Sequence, residues 1–164
     1  MGKTVLIETN ECDYDEYYRI RCSPSDVYWN GYTKAPNYET FKTVFLNRTC
    51  FAEFSEPEDR RVYLVQNSDG VNVGFIQLIW REDGIEIGYS ITEQYQRLGY
   101  ATQALQQAIP LARKYSCNIM LRIRDDNIAS QRVASKCGFS RTEKYIEKEY
   151  PVAGKVKLRV YKQF

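Results

Sequence analysis

The hydrophobic period changes abruptly in mid-chain, and that change limits the folds open to it. Gly84 to Thr92 alternates as a strand does, whereas from Gly99 onward Ala101, Ala104, Leu105, Ala108, Leu111, Ala112 and Tyr115 recur at helical spacing. The turn Gln96-Arg97-Leu98-Gly99-Tyr100-Ala101 lies between them, and a second strand-like run, Asn118 to Arg124, follows the helix. Two strands joined by one helix are expected to lie parallel. Upstream, Val62 to Gln66 and Val73 to Trp80 flank the hairpin turn Asn67-Ser68-Asp69-Gly70. A second turn, Arg81 to Gly84, makes these runs an antiparallel meander with Gly84 to Thr92. An antiparallel meander that continues into a parallel strand leaves a cleft at the strand ends, a place where ligands bind in open sheets.

The remaining elements fit around that centre. Thr4 to Glu8 reads as a first strand, Asp13 to Arg21 as a helix, and Tyr38 to Asn47 as a helix capped by Asn37. Ser23 to Pro36 reads as aromatic and turn-rich, and Phe51 to Arg60 as an acidic loop. Ile128 to Lys136 is a short helix with Gly138 at its end, and Phe139 to Tyr150 and Lys155 to Lys162 are two final strands. Pro110 lies within the long helix and is expected to bend it. With no repeat or linker, residues 1–164 read as one α+β domain: a mixed, mostly antiparallel sheet of about seven strands flanked by helices.

Composition excludes several classes of function. Lys plus Arg number 23 against 21 Asp plus Glu, so the net charge of +2 gives no reason to expect a nucleic-acid partner. No apolar run approaches the length of a membrane span, and Met1 to Glu8 reaches an acid too soon for a secretory leader. Five cysteines at wide spacing, without a CxxC pair and without any histidine, argue against a metal site and for free thiols in the cytoplasm. The absence of histidine also removes Ser-His and Cys-His nucleophiles, so a general base must be a carboxylate, tyrosine, cysteine or water.

The Gln96–Ala101 turn carries the functional argument. A glycine-bearing turn at a helix start aims unpaired N–H groups outward, where an anion, usually phosphate, can bind. Gln96, Gly99 and Ala101, together with Asn127-Ile128-Ala129-Ser130 and Lys136-Cys137-Gly138-Phe139 downstream, resemble the motifs of the GNAT superfamily of acyl-CoA-dependent N-acyltransferases. The branch most similar includes ribosomal-protein N-terminal and aminosugar acetyltransferases. The resemblance implies an acyl-CoA N-acyltransferase-like fold with a splayed parallel strand pair at the cofactor cleft. It also implies acetyl-CoA as co-substrate and direct acetyl transfer to a primary amine, on a small molecule or a peptide. The alternative is a non-catalytic acyl-CoA sensor on the same fold; a nucleotide-phosphate binder unrelated to CoA is a third reading. Oligomeric state is open between monomer and homodimer, with an exposed last strand as the dimer contact.

Cofactor contacts are expected from Tyr89, Ser90 and Ile91 on the strand edge, and from Gln96, Arg97, Leu98, Gly99, Tyr100, Ala101 and Thr102 at the turn. By resemblance, Asn127 and Ser130 lie along the pantetheine arm and Lys136 near the nucleotide. Two positions depart from the family pattern: Arg97 stands where glycine is frequent, and Ala134 where many members carry a tyrosine acid. Glu86, alternating with Gly88 and Ser90 on one strand face, is the candidate base, although an ordinary exposed glutamate fits the same position. A backbone N–H near Ser90 or Ile91 is the candidate oxyanion donor. Ser130 is a candidate proton donor to the leaving thiolate, or a local helix hydrogen bond; Cys137 reads as a small buried filler. Among Tyr28, Trp29, Tyr32, Tyr38 and Phe41 most are expected in the core, with Tyr28 and Trp29 as acceptor-pocket candidates. The acids Glu11, Asp13, Asp15, Glu16, Glu53, Glu56, Glu58 and Asp59 either attract a cationic amine or form a solvated surface.

Overall fold

A seven-stranded sheet in the order β1-β2-β3-β4-β5-β7-β6 organises the molecule, a computed structural model that describes residues 2–163. Its strands are β1 (Val5–Glu8), β2 (Arg60–Gln66), β3 (Asn72–Arg81), β4 (Gly84–Ile91), β5 (Ile119–Arg124), β6 (Ser140–Tyr150) and β7 (Gly154–Lys162). Every neighbouring pair is antiparallel except β4 and β5. The β2–β3 hairpin closes because the Asn67 side chain accepts from the N–H groups of Asp69 and Val71, with Gly70 in the left-handed region.

Helices cover both faces. On one lie α4 (Tyr100–Arg113) and α5 (Ile128–Lys136); on the other, α1 (Tyr14–Arg21), α2 (Pro24–Trp29) and α3 (Tyr38–Phe45). Strand alternation divides the apolar residues accordingly. Ile76, Leu78, Ile85, Ile87 and Leu121 meet Ala104, Leu105 and Ala108 of α4, while Val62, Leu64 and Phe75 meet Tyr14, Tyr17, Ile20 and Phe45. Each fully buried aliphatic side chain, such as Leu105 or Ile76, contributes about 2 kcal/mol.

The structure refines four expectations. The segment read as turn-rich holds α2, started by Pro24, whose missing N–H costs nothing at a first helical position. Asn37 caps α3 through Thr40 N–H as expected, but the helix ends at Phe45 and widens into a π-type turn over Leu46–Cys50. Pro110 is exposed on α4, which runs through it as one helix. The last strand is not at an edge: β7 inserts between β5 and β6. Its Leu158, Val160 and Tyr161 are buried, whereas β6, rich in Arg, Lys and Glu, is the strand that tolerates solvent. The proposed dimer contact through an exposed last strand is therefore corrected.

Candidate active site

The cleft begins where β4 and β5 part. Only two bridges join them, Ile85 to Ile119 and Glu86 to Met120; beyond these the strands diverge. In the regular β3–β4 register, alternate residues of β4 point their backbone groups toward β3. Thr92 N–H donates to Val73 C=O, which places Ser90 and Gly88 in the same ladder and turns Tyr89 and Ile91 toward the cleft. The expected backbone role of Ser90 is corrected on this ground: its N–H belongs to the sheet, and its side chain lies on the opposite face with Glu86 and Gly88. Tyr89 and Ile91 present the open edge.

At the cleft mouth stands the glycine turn. Arg97, Leu98, Gly99, Tyr100, Ala101 and Thr102 donate no backbone hydrogen bond to another described residue; the first helical bond runs from Gln103 N–H to Gly99 C=O at 3.1 Å. Six consecutive donors at the positive end of α4 make a candidate anion cradle. Gly99 adopts φ 84° and Arg97 φ 63°, both left-handed. Gln96 does not join the cradle. Its N–H is bonded to Glu93 C=O, and its side-chain Nε2 donates to Ile91 C=O at 2.8 Å and Ser25 Oγ at 3.1 Å. It ties the end of β4 to α2 and so holds the turn in place.

Helix α5 forms the other wall. Asn127 caps it, its Oδ1 accepting from Ser130 N–H at 3.1 Å. The Tyr89 hydroxyl crosses the cleft to Ser130 C=O at 3.4 Å, and burial pushes its pKa up to about 12, so it remains a donor at neutral pH. Ala134 is fully buried, leaving no room for a tyrosine acid there. Lys136 is exposed, while Cys137 is a buried filler whose Sγ lies 3.6 Å from Thr102 C=O.

The opposite sheet face is polar beyond the cover of α1 and α3. Glu86 Oε2 accepts from Arg81 Nε at 2.7 Å and lies 3.4 Å from Arg122 Nε; Oε1 accepts no hydrogen bond among the described residues. Helix α2 crosses this face. Tyr28 and Trp29 stack edge-on at 4.9 Å, with the Arg124 guanidinium over their rings at 5.8 and 5.2 Å. Tyr38 and Phe41 pack in the α1–α3 core, and Tyr32 lines a cavity of about 60 Å³ with Arg21, Asp26, Asn30 and Phe41.

Sequence reading missed Asp26, Arg81, Arg122 and Arg124. Asp26 is buried and paired with Arg21 at 3.1 Å; burial pushes its carboxyl up, opposed by Arg21, Ser90 and Asn30. Nothing in the local sequence marked it. Arg122 and Arg124, by contrast, alternate along β5 with Met120 and were readable as one face. The acidic residues do not gather at the cleft. Asp59 is a loop cap accepting from Ser55 and Glu56 N–H, Glu16 pairs with Arg19, and of the group only Glu58 reaches the Glu86 cluster, through Arg81.

Comparison with known proteins settles the family. The profile described as an acetyltransferase (GNAT) domain matches residues 4–140. The chain belongs to the GNAT acetyltransferase family. No curated protein sequence matches this GNAT chain. Among solved structures, it is similar to the spermidine N-acetyltransferase from Vibrio cholerae in complex with CoA and spermine (TM-score 0.78, 15% identity, covering 98% of this chain and 96% of that one). It is also similar to AAC(6')-Ib in complex with ribostamycin and coenzyme A (TM-score 0.72, 17% identity, covering 98% and 94%). At these identities the likeness concerns the fold, and it includes the parallel β4–β5 pair of this GNAT domain.

Proposed function

We propose that this protein is an acetyl-CoA-dependent N-acetyltransferase that acts on a primary amine by direct attack in a ternary complex. The observation that carries this reading is the run of unpaired N–H groups from Arg97 to Thr102, set at the mouth of a cleft whose other edge is the open backbone of Tyr89 and Ile91. The cradle suits a pyrophosphate, and the open edge suits the amide groups of a pantetheine arm, which would add to β4 as a short strand does. Family membership and the CoA named with both comparison structures support the same assignment. Acetyl-CoA supplies an activated acyl carbon and a thiolate that leaves.

The chain supplies the rest. Asn127 and Ser130 flank the arm from α5, with Lys136 toward the nucleotide. Glu86 accepts the amine proton through one water on its free Oε1, because an alkylamine with a pKa of about 10 arrives protonated at neutral pH. The N–H of Tyr89 or Ile91 meets the developing oxyanion, since that of Ser90 is committed to β3. Ser130 passes a proton to the departing thiolate and regains one from water that carries the proton lost by the amine, so that no alkoxide is left. Tyr28 and Trp29 border the acceptor. The free thiols, including exposed Cys12 and Cys117, suit work in a reducing cytosol.

Release of CoA thiol from acetyl-CoA across a panel of amines tests this reading, with calorimetry of CoA in parallel. Turnover of at least one amine is expected. CoA binding without turnover of any amine would favour a non-catalytic module, and stabilisation by ATP but not CoA would favour the nucleotide binder.

A further inference from the structure

The sheet face on which an acceptor would sit carries more positive than negative charge. Strand alternation places Arg60, Arg81, Arg122 and Lys148 on the face that holds Glu86. Three of these cations share two carboxylates: Arg81 with Glu58 and Glu86, Arg60 with Glu58 at 3.8 Å, and Arg122 with Glu86 at 3.4 Å. The buried Nε of Arg122 has no hydrogen-bond partner, and Lys148 forms no ion pair among the described residues. Neighbouring cations outside the group are already matched, Arg21 by Asp26 and Arg124 by Asp126.

We infer that the amine acetylated here also bears an anionic group, a carboxylate or a phosphate, held by Arg60, Arg122 and Lys148 beside Glu86. The inference rests on the acetyltransferase reading above and narrows its acceptor. Like charges repel one another across this face, and an entering anion offsets that cost while giving Lys148 a partner. Desolvation first lowers the proton affinity of Lys148; Glu86 opposes the shift, and Arg60, Arg81 and Arg21 add to it, which puts these groups within electrostatic reach of one another. The pyrophosphate of a cofactor is not the missing anion. Its cradle begins beyond Ile91, roughly 16 Å along β4 from Glu86 at the usual strand rise. Spermine and ribostamycin, the amines named with the comparison structures, carry several positive charges and no anionic group. This face would repel them.

Calorimetry on the CoA-loaded protein tests the inference without turnover. The ligands are N-acetylglycine against N-acetylglycinamide, N-acetylglucosamine 6-phosphate against N-acetylglucosamine, and N-acetylspermidine. In at least one pair the anionic member is expected to bind tenfold or more tightly than its neutral twin, the pair that responds telling carboxylate from phosphate. Lys148→Gln should reduce that preference at least threefold, with CoA affinity as the check on folding. Equal binding within both pairs, tightest binding by N-acetylspermidine, or a preference unchanged in Lys148→Gln would each overturn it. Anion binding without turnover of any amine upholds this site and overturns only the acetyltransferase reading; turnover of spermidine with no anion preference does the reverse.

Discussion

Arg97 shows how one residue can work against its own backbone. At φ 63° it occupies the left-handed region, which costs a non-glycine residue about 1 kcal/mol. The glycine that the family pattern implies at this position has a physical reason there. Arg97→Gly is expected to raise the melting temperature by a few degrees and weaken CoA binding in a salt-dependent way, because a charge beside the cradle is lost; calorimetry at two salt concentrations checks both. Glu86→Gln should lower kcat about a hundredfold with CoA affinity unchanged, and remove the acid limb of the pH–rate profile. An unaltered profile would exclude Glu86 as base. Glu86 was legible in the sequence because it alternates with Gly88 and Ser90. Its grip by Arg81 and Arg122 was not, since those arginines arrive from two other strands whose register only the folded sheet fixes.

Among the elements, the turn between β4 and α4 was the most legible. Gly99 and the change of period announced it, and the unpaired donors lie where the spacing put them, shifted past Gln96. Gly99→Val should reduce CoA affinity at least tenfold by forcing a branched residue into φ 84°; unchanged affinity by calorimetry would displace the phosphate from this turn. Helix α2 was illegible because six residues are too few for a periodic signal, and Asp26 and Arg21 meet only after α1 turns back. Its exit is equally cryptic: a Cβ at Gly31 would lie 2.4 Å from the Tyr150 side chain, so close packing against β6 demands glycine there. The loop before β2 hangs on Asp59. Burial would raise its carboxyl, but Glu56 and Ser55 N–H and Arg48 outweigh that and lower it. A folded-state pKa below the unfolded value gives stability that is present above about pH 4 and lost as pH falls through the folded value. Asp59→Ala should therefore cost about 1 kcal/mol in urea unfolding at pH 7, with the gap narrowing by pH 3.

At the scale of the whole molecule, the mixed sheet followed from the order of hydrophobic patterns, and the exchange of β6 and β7 did not. Both strands alternate, and only the burial of Leu158 and Val160 against the charge of β6 decides which sits inside. The splay of β4 from β5 has a consequence beyond binding. A sheet left unzipped through its middle is held there by two bridges, and a ligand that pairs with Tyr89 and Ile91 completes it. At a hundred times its dissociation constant such a ligand adds about 2.7 kcal/mol to the folded state. With CoA as that ligand, the stability of the fold is expected to rise and fall with the supply of the carrier, acylated or free, so that a shortage of CoA loosens the sheet as well as idling the site.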